Sequence, residues 1–230
     1  MSQPLPMFQP VQATTWQMYR AMVGVGLLCG LLIVTVYQIT LPVIKRNEAI
    51  ALERAIFQVL PDARASASFQ FNEEENRFEA LEETTEGGRL VYAGYDDAGQ
   101  LVGLAIEAEG MGYADVIRVL YGYSFAEDAI IGIRVLASKE TPGLGDRIET
   151  DEAFLQNFVR LDASLKPDGT ELAHPIILVK PGKKTNPWEV DGITGATISS
   201  SAIADMLDRS TSFWIPLVQR RADDFKKGAS

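Results

Sequence analysis

Hydrophobic positions are most concentrated near the start of the chain. Residues 21–44 contain no charged side chain and lie between Arg20 and the pair Lys45 and Arg46. As a helix this run would rise about 36 Å, enough to cross a hydrocarbon core of about 30 Å. A buried core helix would show a polar face, and none appears before Gln38. The pattern therefore predicts a single transmembrane helix.

A cleaved signal peptide is the main alternative for this run. The apolar stretch of a signal peptide is normally shorter, and a small-residue cleavage site follows it. Here Lys45 and Arg46 follow instead, which favours an anchor that stays on the mature protein.

Downstream of the run, the apolar pattern changes its period several times. Helical spacing predicts a stalk helix from Asn47 to Leu60 that stops before Pro61. A hairpin is predicted where residues 89–95 and 100–107 flank the turn 96–99. Further strands are predicted over 116–123, 129–137 and 175–180, and helices over 151–159, 198–207 and 213–225. This order predicts an α+β fold with a mainly antiparallel sheet.

These segments divide the chain into five parts. We predict a short N-terminal tail (1–20), the transmembrane helix (21–44), the stalk helix (45–62), one folded domain (63–212) and a C-terminal helix and tail (213–230). Within the folded domain, Glu73 to Glu86 holds seven glutamates and little apolar material. We expect that part to be a solvated, variable segment.

Composition and charge narrow the possible chemistry. The single cysteine, Cys29, excludes an intramolecular disulfide framework and a multi-thiolate metal site, and the single histidine, His174, disfavours a common catalytic triad. Of 21 basic and 31 acidic side chains, only three basic ones precede residue 47, so residues 47–230 carry 18 and 31, a net charge of −13. Nucleic-acid binding needs a basic surface, so we expect no nucleic-acid partner. We also predict no metal site and no catalytic acid–base pair.

Two glycine-containing loops are the candidate functional segments. The first, Lys139-Glu-Thr-Pro-Gly-Leu-Gly-Asp-Arg147, follows a predicted strand. Its proline restricts φ and its glycines allow conformations that other residues avoid, so we expect a sharply shaped turn between the acceptors Glu140 and Asp146. An ordinary connection, in which Asp146 caps the helix over 151–159, is the simpler interpretation.

The second loop, Asp191-Gly-Ile-Thr-Gly-Ala-Thr197, leads directly into a predicted helix. Thr197 is suited to be its N-cap, with Ser200 at the third helical position. The amides and dipole of a helix N-terminus also attract anions, and Gly195 and Ala196 would let a phosphate approach the backbone. The residues alone leave both roles open, a helix cap and a phosphate site.

Three motifs carry a family resemblance. Asp191-Gly-Ile-Thr-Gly-Ala-Thr197 resembles the flavin-attachment motif D-x-x-[S/T]-G-A-T of the FMN-binding domain family. Glu140-Thr-Pro-Gly-Leu-Gly145 resembles a second hallmark, a loop that lies against the flavin, and Gly112-Tyr-Ala-Asp-Val-Ile-Arg-Val-Leu-Tyr-Gly122 resembles a third. With the N-terminal anchor, the chain is similar to the G subunits of the Rnf electron-transport complexes. The C subunits of the sodium-translocating NADH:quinone oxidoreductases share the domain but are usually longer.

The resemblance implies a covalent cofactor and its site. It implies that FMN is joined through its phosphate to the hydroxyl of Thr197. It further implies that Asp191 helps a flavin transferase recognise the site and binds the divalent ion used in attachment, while a turn-capping role remains the alternative. The other residues expected to contact the cofactor are Thr194 and Ser199 (phosphate hydrogen bonds), Gly195, Ala196, Ser200, Glu140, Thr141, Gly143, Leu144 (over the isoalloxazine ring) and Gly145.

The resemblance also implies a place in a membrane complex. The chain would relay electrons within an ion-translocating ferredoxin:NAD oxidoreductase, with the other membrane and peripheral Rnf subunits as partners. The flavin domain would face the periplasmic side of the bacterial inner membrane, because the transferase works outside the cytoplasm. The positive-inside rule, applied to Lys45, Arg46, Arg54 and Arg64 after the span, favours a cytoplasmic domain instead.

Other functions stay open at the level of sequence. One is the corresponding FMN subunit of a sodium-translocating NADH:quinone oxidoreductase. Another is a redox-silent anchored assembly module, in which the second loop only caps a helix. A third is a hydrolase with Thr197 or Ser200 as nucleophile, but His174 is the sole imidazole and is better interpreted as a strand-edge residue.

Overall fold

A computed structural model describes residues 14–81 and 89–227 of the chain. Most of the predicted tail 1–20, part of the glutamate-rich segment and the end of the predicted C-terminal tail lie outside the described residues. The chain divides into two compact units, Met1–Ile50 and Ala51–Ser230.

The described part of the first unit consists mainly of helix α1 (Thr15–Val59), whose last residues belong to the second unit. Side chains from Thr15 to Thr40 are all exposed. By length and composition α1 is able to cross a membrane. The helix continues through Pro42 and ends just before Leu60 and Pro61. The helical prediction for residues 47–60 is therefore confirmed to within one residue.

The second unit is built on a seven-stranded antiparallel sheet. Its strands are β1 (Ala65–Asn72), β2 (Arg77–Leu81), β3 (Leu90–Tyr95), β4 (Leu101–Met111), β5 (Val116–Ser124), β6 (Ala129–Ala137) and β7 (Leu161–Asp162). They lie in the order β2-β1-β3-β4-β5-β6-β7. The predicted hairpin is β3 and β4, and the predicted strands over 116–123 and 129–137 are β5 and β6. The α+β fold with a mainly antiparallel sheet is confirmed.

The remaining elements follow the sheet in sequence. They are α2 (Glu152–Leu155), the parallel pair β8 (Ile177–Val179) and β9 (Glu189–Asp191), α3 (Thr197–Arg220), and three 3-10 segments at Gly145–Glu149, Gln156–Phe158 and Ala222–Lys227. The prediction of separate helices over 198–207 and 213–225 is wrong, because α3 runs through the polar residues between them. Thr211 is buried there, and its hydroxyl donates to the carbonyl oxygen of Leu207 at 2.7 Å.

Contrary to the prediction, part of the glutamate-rich segment forms regular structure. Residues 77–81 form β2, which pairs with the unpredicted strand β1. Phe78 is buried, and its amide donates to the Oδ2 atom of Asp224 at 3.0 Å. One core aromatic and one distant carboxylate thus hold this part of the glutamate-rich segment in the sheet.

Helices cover both faces of this sheet. The last turns of α1 bury Ala55, Ile56 and Val59 against one face. Gly122 in β5 makes this packing possible, because a Cβ atom there would overlap the carbonyl oxygen of Val59. On the other face, α3 packs its apolar side on the core, and Tyr121 of β5 hydrogen-bonds Ser210 of α3 at 2.9 Å. This packing brings the first turn of α3 to the loops that follow β4 and β6.

Candidate functional site

The connection between β9 and α3 is short, and hydrogen bonds donated by its backbone amides hold it. The amide of Ala196 donates to the carbonyl oxygen of Ile193 at 3.1 Å, and the amide of Ile193 donates to the hydroxyl oxygen of Ser200 at 3.2 Å. Gly195 adopts φ +87°, a left-handed conformation that favours glycine. These contacts fix the loop as a compact turn that presents exposed Thr194 and Gly195 to solvent.

The first turn of α3 differs from the prediction. Thr197 is not the N-cap: Ala196 occupies that position, makes no side-chain capping bond, and places Thr197 as the first helical residue. Ser200 is accordingly the fourth helical residue, not the third. Because helix geometry provides no acceptor for the amides of residues 197–199, they form an anion-attracting N-terminus.

Side chains of this turn separate into an outer and an inner set. Thr197 is exposed, and so is Ile198, with 54% of its surface accessible. Ser199 and Ser200 are buried. The hydroxyl of Ser199 donates to Oε2 of Glu140, and that of Ser200 accepts from the backbone as described. Of the three hydroxyl-bearing residues in this turn, Thr197 is the exposed one.

The loop after β6 forms the predicted sharp turn. The amide of Leu144 donates to the carbonyl oxygen of Thr141 at 3.1 Å, and Gly143 adopts φ +78°. Thr141, Gly143 and Leu144 are exposed, whereas Glu140 and Gly145 are buried.

Asp146 does not cap the following helix as predicted. The N-cap of α2 is Asp151, whose side chain accepts from the amide of Phe154 at 3.1 Å. This hydrogen bond is the main cause that lowers the pKa of Asp151, and Arg147 contributes to the same shift. Within residues 14–81 and 89–227, Oδ1 of Asp146 is a buried carboxylate oxygen without a hydrogen-bond partner.

Side-chain bonds join the three sequence motifs. Oε1 of Glu140 accepts from the amide of Ala114 at 2.9 Å, while its Oε2 accepts from Ser199. Arg147 donates from Nη1 to the carbonyl oxygen of Thr194 at 3.1 Å. The loop after β4, the loop after β6 and the start of α3 therefore form one surface.

Asp191 acts as a turn cap in this structure. Its Oδ1 accepts from the amides of Lys183 and Lys184, both at 3.0 Å. Glu189 continues the pattern by accepting from the amides of Thr185 and Asn186 at 2.7 and 3.0 Å. Two carboxylates on β9 thus bind four successive backbone amides and shape the loop between β8 and β9.

Lys184 is more enclosed than a solvated loop lysine. Its Nζ donates to Oδ1 of Asn157 at 3.3 Å, and burial lowers the pKa of Lys184. The same Asn157 oxygen accepts from the amide of Asp191 at 3.0 Å. Lys184 therefore belongs to the network that supports the start of the loop Asp191 to Thr197.

The sequence candidate His174 packs on an aromatic side chain of the segment between β8 and β9. His174 is exposed and stacks on Trp188, with ring centroids 3.6 Å apart. In the part of the chain that the structure describes, no group of three or more His, Cys, Asp or Glu residues could hold a metal ion.

Sequence reasoning missed two contributors to the surface. The sequence analysis assigns no role to Arg147, although its position at the end of the first candidate loop, Lys139 to Arg147, was a usable signal. Tyr113, 70% exposed, lies in the third motif. Together with Leu144, 53% exposed, and Ile198, which directly follows Thr197, it places exposed apolar side chains in or beside each motif. Exposed apolar groups beside an anion-attracting helix start fit a ligand with a phosphate and a flat apolar part.

Comparison with known proteins supports this interpretation of the surface. Residues 112–212 match the FMN-binding domain family. The G subunit of the ion-translocating oxidoreductase complex of Shewanella baltica is 30% identical over 184 residues, which cover 77% of this chain and 78% of that protein. The chain belongs to this G-subunit family. The three motifs of the surface all lie within the matched FMN-binding domain.

Other comparisons agree on family and fold. The G subunit of Methanosarcina acetivorans is 35% identical over 127 residues, and the match spans 54% of this chain and only 57% of that protein. The crystal structure of NqrC from Shewanella oneidensis has a TM-score of 0.55, with 80% of this chain and 98% of that chain covered. At 16% identity, this likeness shows a shared fold. This member of the G-subunit family thus has an α+β fold, as its sequence predicts.

Proposed function

We propose that the chain is the membrane-anchored flavoprotein subunit of an Rnf-type complex, with FMN attached to Thr197 as a phosphoester. The observation that carries the proposal is that Thr197, the first residue of α3, is exposed beside the loop of Glu140 to Gly145. Thr197 is also the last residue of the motif Asp191 to Thr197, which lies within residues 112–212, the range that matches the FMN-binding domain family.

A phosphoester at this position needs no basic pocket. Esterification removes one charge from the phosphate, and the amides of residues 197–199 with the helix dipole stabilise the remaining charge, by about 0.3–1 kcal/mol for the dipole. This agrees with the net charge of −13 for residues 47–230. The guanidinium of Arg147, 43% exposed and bonded to Thr194, adds a positive charge near the same turn.

The remaining residues divide between contact and support. Thr194, Gly195 and Ala196 would border the phosphate, and Thr141, Gly143 and Leu144 would lie against the flavin ring. Ser199, Ser200, Glu140 and Gly145 face inward and hold these segments together. We further propose that Asp191 contributes to recognition by a flavin transferase by shaping the loop beside the motif. When bound, FMN supplies the electron-carrying chemistry.

We place the flavin domain on the outer side of the bacterial inner membrane, anchored by α1. The domain would relay electrons in an ion-translocating ferredoxin:NAD oxidoreductase, between neighbouring subunits of the complex. Support comes from the family of G subunits, the single candidate span among the described residues, and the attachment motif whose transferase acts outside the cytoplasm.

Covalent attachment is tested on the full chain co-expressed with a flavin transferase. Denaturing electrophoresis viewed under ultraviolet light should show a fluorescent band, and the intact mass should exceed that of the bare chain by one FMN less one water. Thr197→Val should give a dark band of unmodified mass. Thr150→Val is the matched control, since Thr150 is exposed and outside the three motifs, and it should remain fluorescent. A dark wild-type band would refute the proposal.

A further inference from the structure

Glu140 is a buried carboxylate with its hydrogen bonds divided between two other motifs. Only 5% of the residue is accessible to solvent. One oxygen accepts from the amide of Ala114 at 2.9 Å, and the other accepts from the hydroxyl of Ser199. Both carboxylate oxygens are thus directed into the protein, toward segments 26 and 59 residues away in sequence.

Two glycines leave the space that this carboxylate occupies. A Cβ atom on Gly112 would overlap Oε1 of Glu140, and a Cβ atom on Gly145 would overlap Oε2. The Cβ position of Gly145 is also only 2.8 Å from the hydroxyl oxygen of Ser199. The backbones of both loops therefore lie close to the carboxylate, and neither position leaves room for a side chain.

The bonded residues stand next to the exposed ones. Ser199 lies two residues after Thr197, in the same first turn of α3. Ala114 directly follows Tyr113, and Gly145 directly follows Leu144, both of which are exposed. A buried carboxylate is costly unless it is hydrogen-bonded, so the arrangement is stable only when both donors are in place.

We propose that Glu140 is the positioning residue of the flavin-attachment surface. Its carboxylate fixes the first turn of α3 relative to the loops after β4 and β6. In this position Thr197 is accessible to the flavin transferase. The inference rests on the proposed function. It gives Glu140 and Ser199 a joint role that acts through Thr197, without contact between their bonded atoms and the cofactor.

The test compares rates of covalent flavin incorporation into full-length protein by a purified flavin transferase. The band fluorescence gives the rate, and the Tm of the unmodified chain shows whether each variant is folded. Ser199→Ala and Glu140→Ala should slow incorporation at least about tenfold, because small misplacements of a reacting group cost this much or more. Ser201→Ala is the matched control: Ser201 is in the same helix, its hydroxyl is bonded to Asp205 at 3.3 Å, and its rate should stay within about twofold of wild type.

Glu140→Gln tests positioning against charge. The glutamine oxygen still accepts from Ala114, and its amide group can donate to the hydroxyl oxygen of Ser199. This variant should therefore regain most of the rate that Glu140→Ala loses. If Glu140→Ala is not recovered as a folded chain, Ser199→Ala decides, since it removes one hydroxyl only.

The outcomes separate the inference from the function on which it rests. A wild-type chain that never becomes fluorescent contradicts the proposed function. A fluorescent wild type, with Ser199→Ala modified as fast as Ser201→Ala, overturns the positioning role alone. A Glu140→Gln rate as low as that of Glu140→Ala would also overturn it, because shape and hydrogen bonds would then not suffice.

Discussion

The guanidinium of Arg147 donates a hydrogen bond to the carbonyl oxygen of Thr194, with 3.1 Å between Nη1 and that oxygen. The two residues are 47 positions apart in sequence. The second guanidinium nitrogen, Nη2, lies 2.5 Å from Oδ2 of Asp151, the N-cap of α2. One side chain thus links the loop after β6, the loop between β9 and α3, and α2.

Replacing this link should lower stability moderately. Arg147→Gln should reduce the free energy of unfolding by about 1 kcal/mol, since a partly exposed ion pair and one charged hydrogen bond are lost. Urea unfolding of the full chain in detergent measures the change. Arg160→Gln is the control, because the side chain of Arg160 is 74% exposed and pairs with Glu127 at 3.2 Å; its effect should stay below about 0.5 kcal/mol. Equal effects from both variants would contradict a role for the Thr194 bond.

Ser200 supports the loop between β9 and α3 from inside. Ser200→Ala leaves the amide of Ile193 without its acceptor in a buried place, which should cost about 1–3 kcal/mol of unfolding free energy. Ser201→Ala, one residue along the helix, should cost less than about 0.5 kcal/mol in the same unfolding experiment. The prediction fails if the two alanine variants unfold at the same urea concentration.

Glu189 should make stability depend on acid. Hydrogen bonds from the amide of Thr185, and from the side chain and amide of Asn186, lower the pKa of Glu189 to about 2. Its pKa in the unfolded chain is about 4.3. Above about pH 4.3, the ionised carboxylate of Glu189 therefore stabilises the folded state, and this stabilisation is lost as the pH falls toward 2. Between pH 5 and 2 the Tm should fall more steeply for wild type than for Glu189→Gln.

A matched charge change separates this effect from net charge. Glu53→Gln removes an exposed carboxylate from α1, and its Tm should follow the wild-type pH dependence. Parallel curves for wild type and Glu189→Gln would show that these hydrogen bonds do not stabilise the ionised form.

The C-terminal segment should be needed for stability. Phe225 is fully buried against Phe69 and Phe78, with ring centroids 5.1 and 4.7 Å apart. Its carbonyl oxygen also accepts from the hydroxyl of Tyr95 at 2.6 Å. Phe225→Ala should cost about 3–5 kcal/mol. Phe213→Ala, at a position 44% exposed, should cost about 1 kcal/mol or less. A larger loss of unfolding free energy in Phe213→Ala than in Phe225→Ala would contradict the stabilising role of the C-terminal segment.

Sidedness has a direct test with introduced cysteines. In a Cys29→Ser background, Asp97→Cys places a thiol in an exposed turn of the folded domain. A membrane-impermeant maleimide should label it in intact cells if the domain is periplasmic. Gln3→Cys, before the span, should be labelled only after lysis. The opposite pattern would place the domain in the cytoplasm, as the charges after the span suggest.

Local patterns carried most of the correct fold prediction. The uncharged run, the helical spacing before Pro61 and the turn at 96–99 depend on residues close in sequence, and the corresponding elements are present. Strand β1 was missed although its sequence, Ala-Ser-Ala-Ser-Phe-Gln-Phe-Asn, alternates. Its small side chains give a weak contrast between faces, so the alternation did not stand out as a strand.

Features that depend on distant partners were not predictable. Nothing near Phe78 indicates that Asp224 will accept its amide, and nothing near Thr211 indicates that α3 continues past it. The same holds for the site. The motifs identified the two loops, but the bond between Glu140 and Ser199 exists only because the sheet and α3 bring residues 59 positions apart together.

That separation has a consequence for the order of maturation. Ala114, Glu140 and Ser199 meet only after β4 to β6 have paired and α3 has docked on them, since closing such long loops is entropically unfavourable before other contacts form. An unfolded or partly folded chain offers the attachment motif without its neighbouring loops. The flavin would then be attached only to chains that have already folded, so a bound flavin would indicate a correctly folded domain.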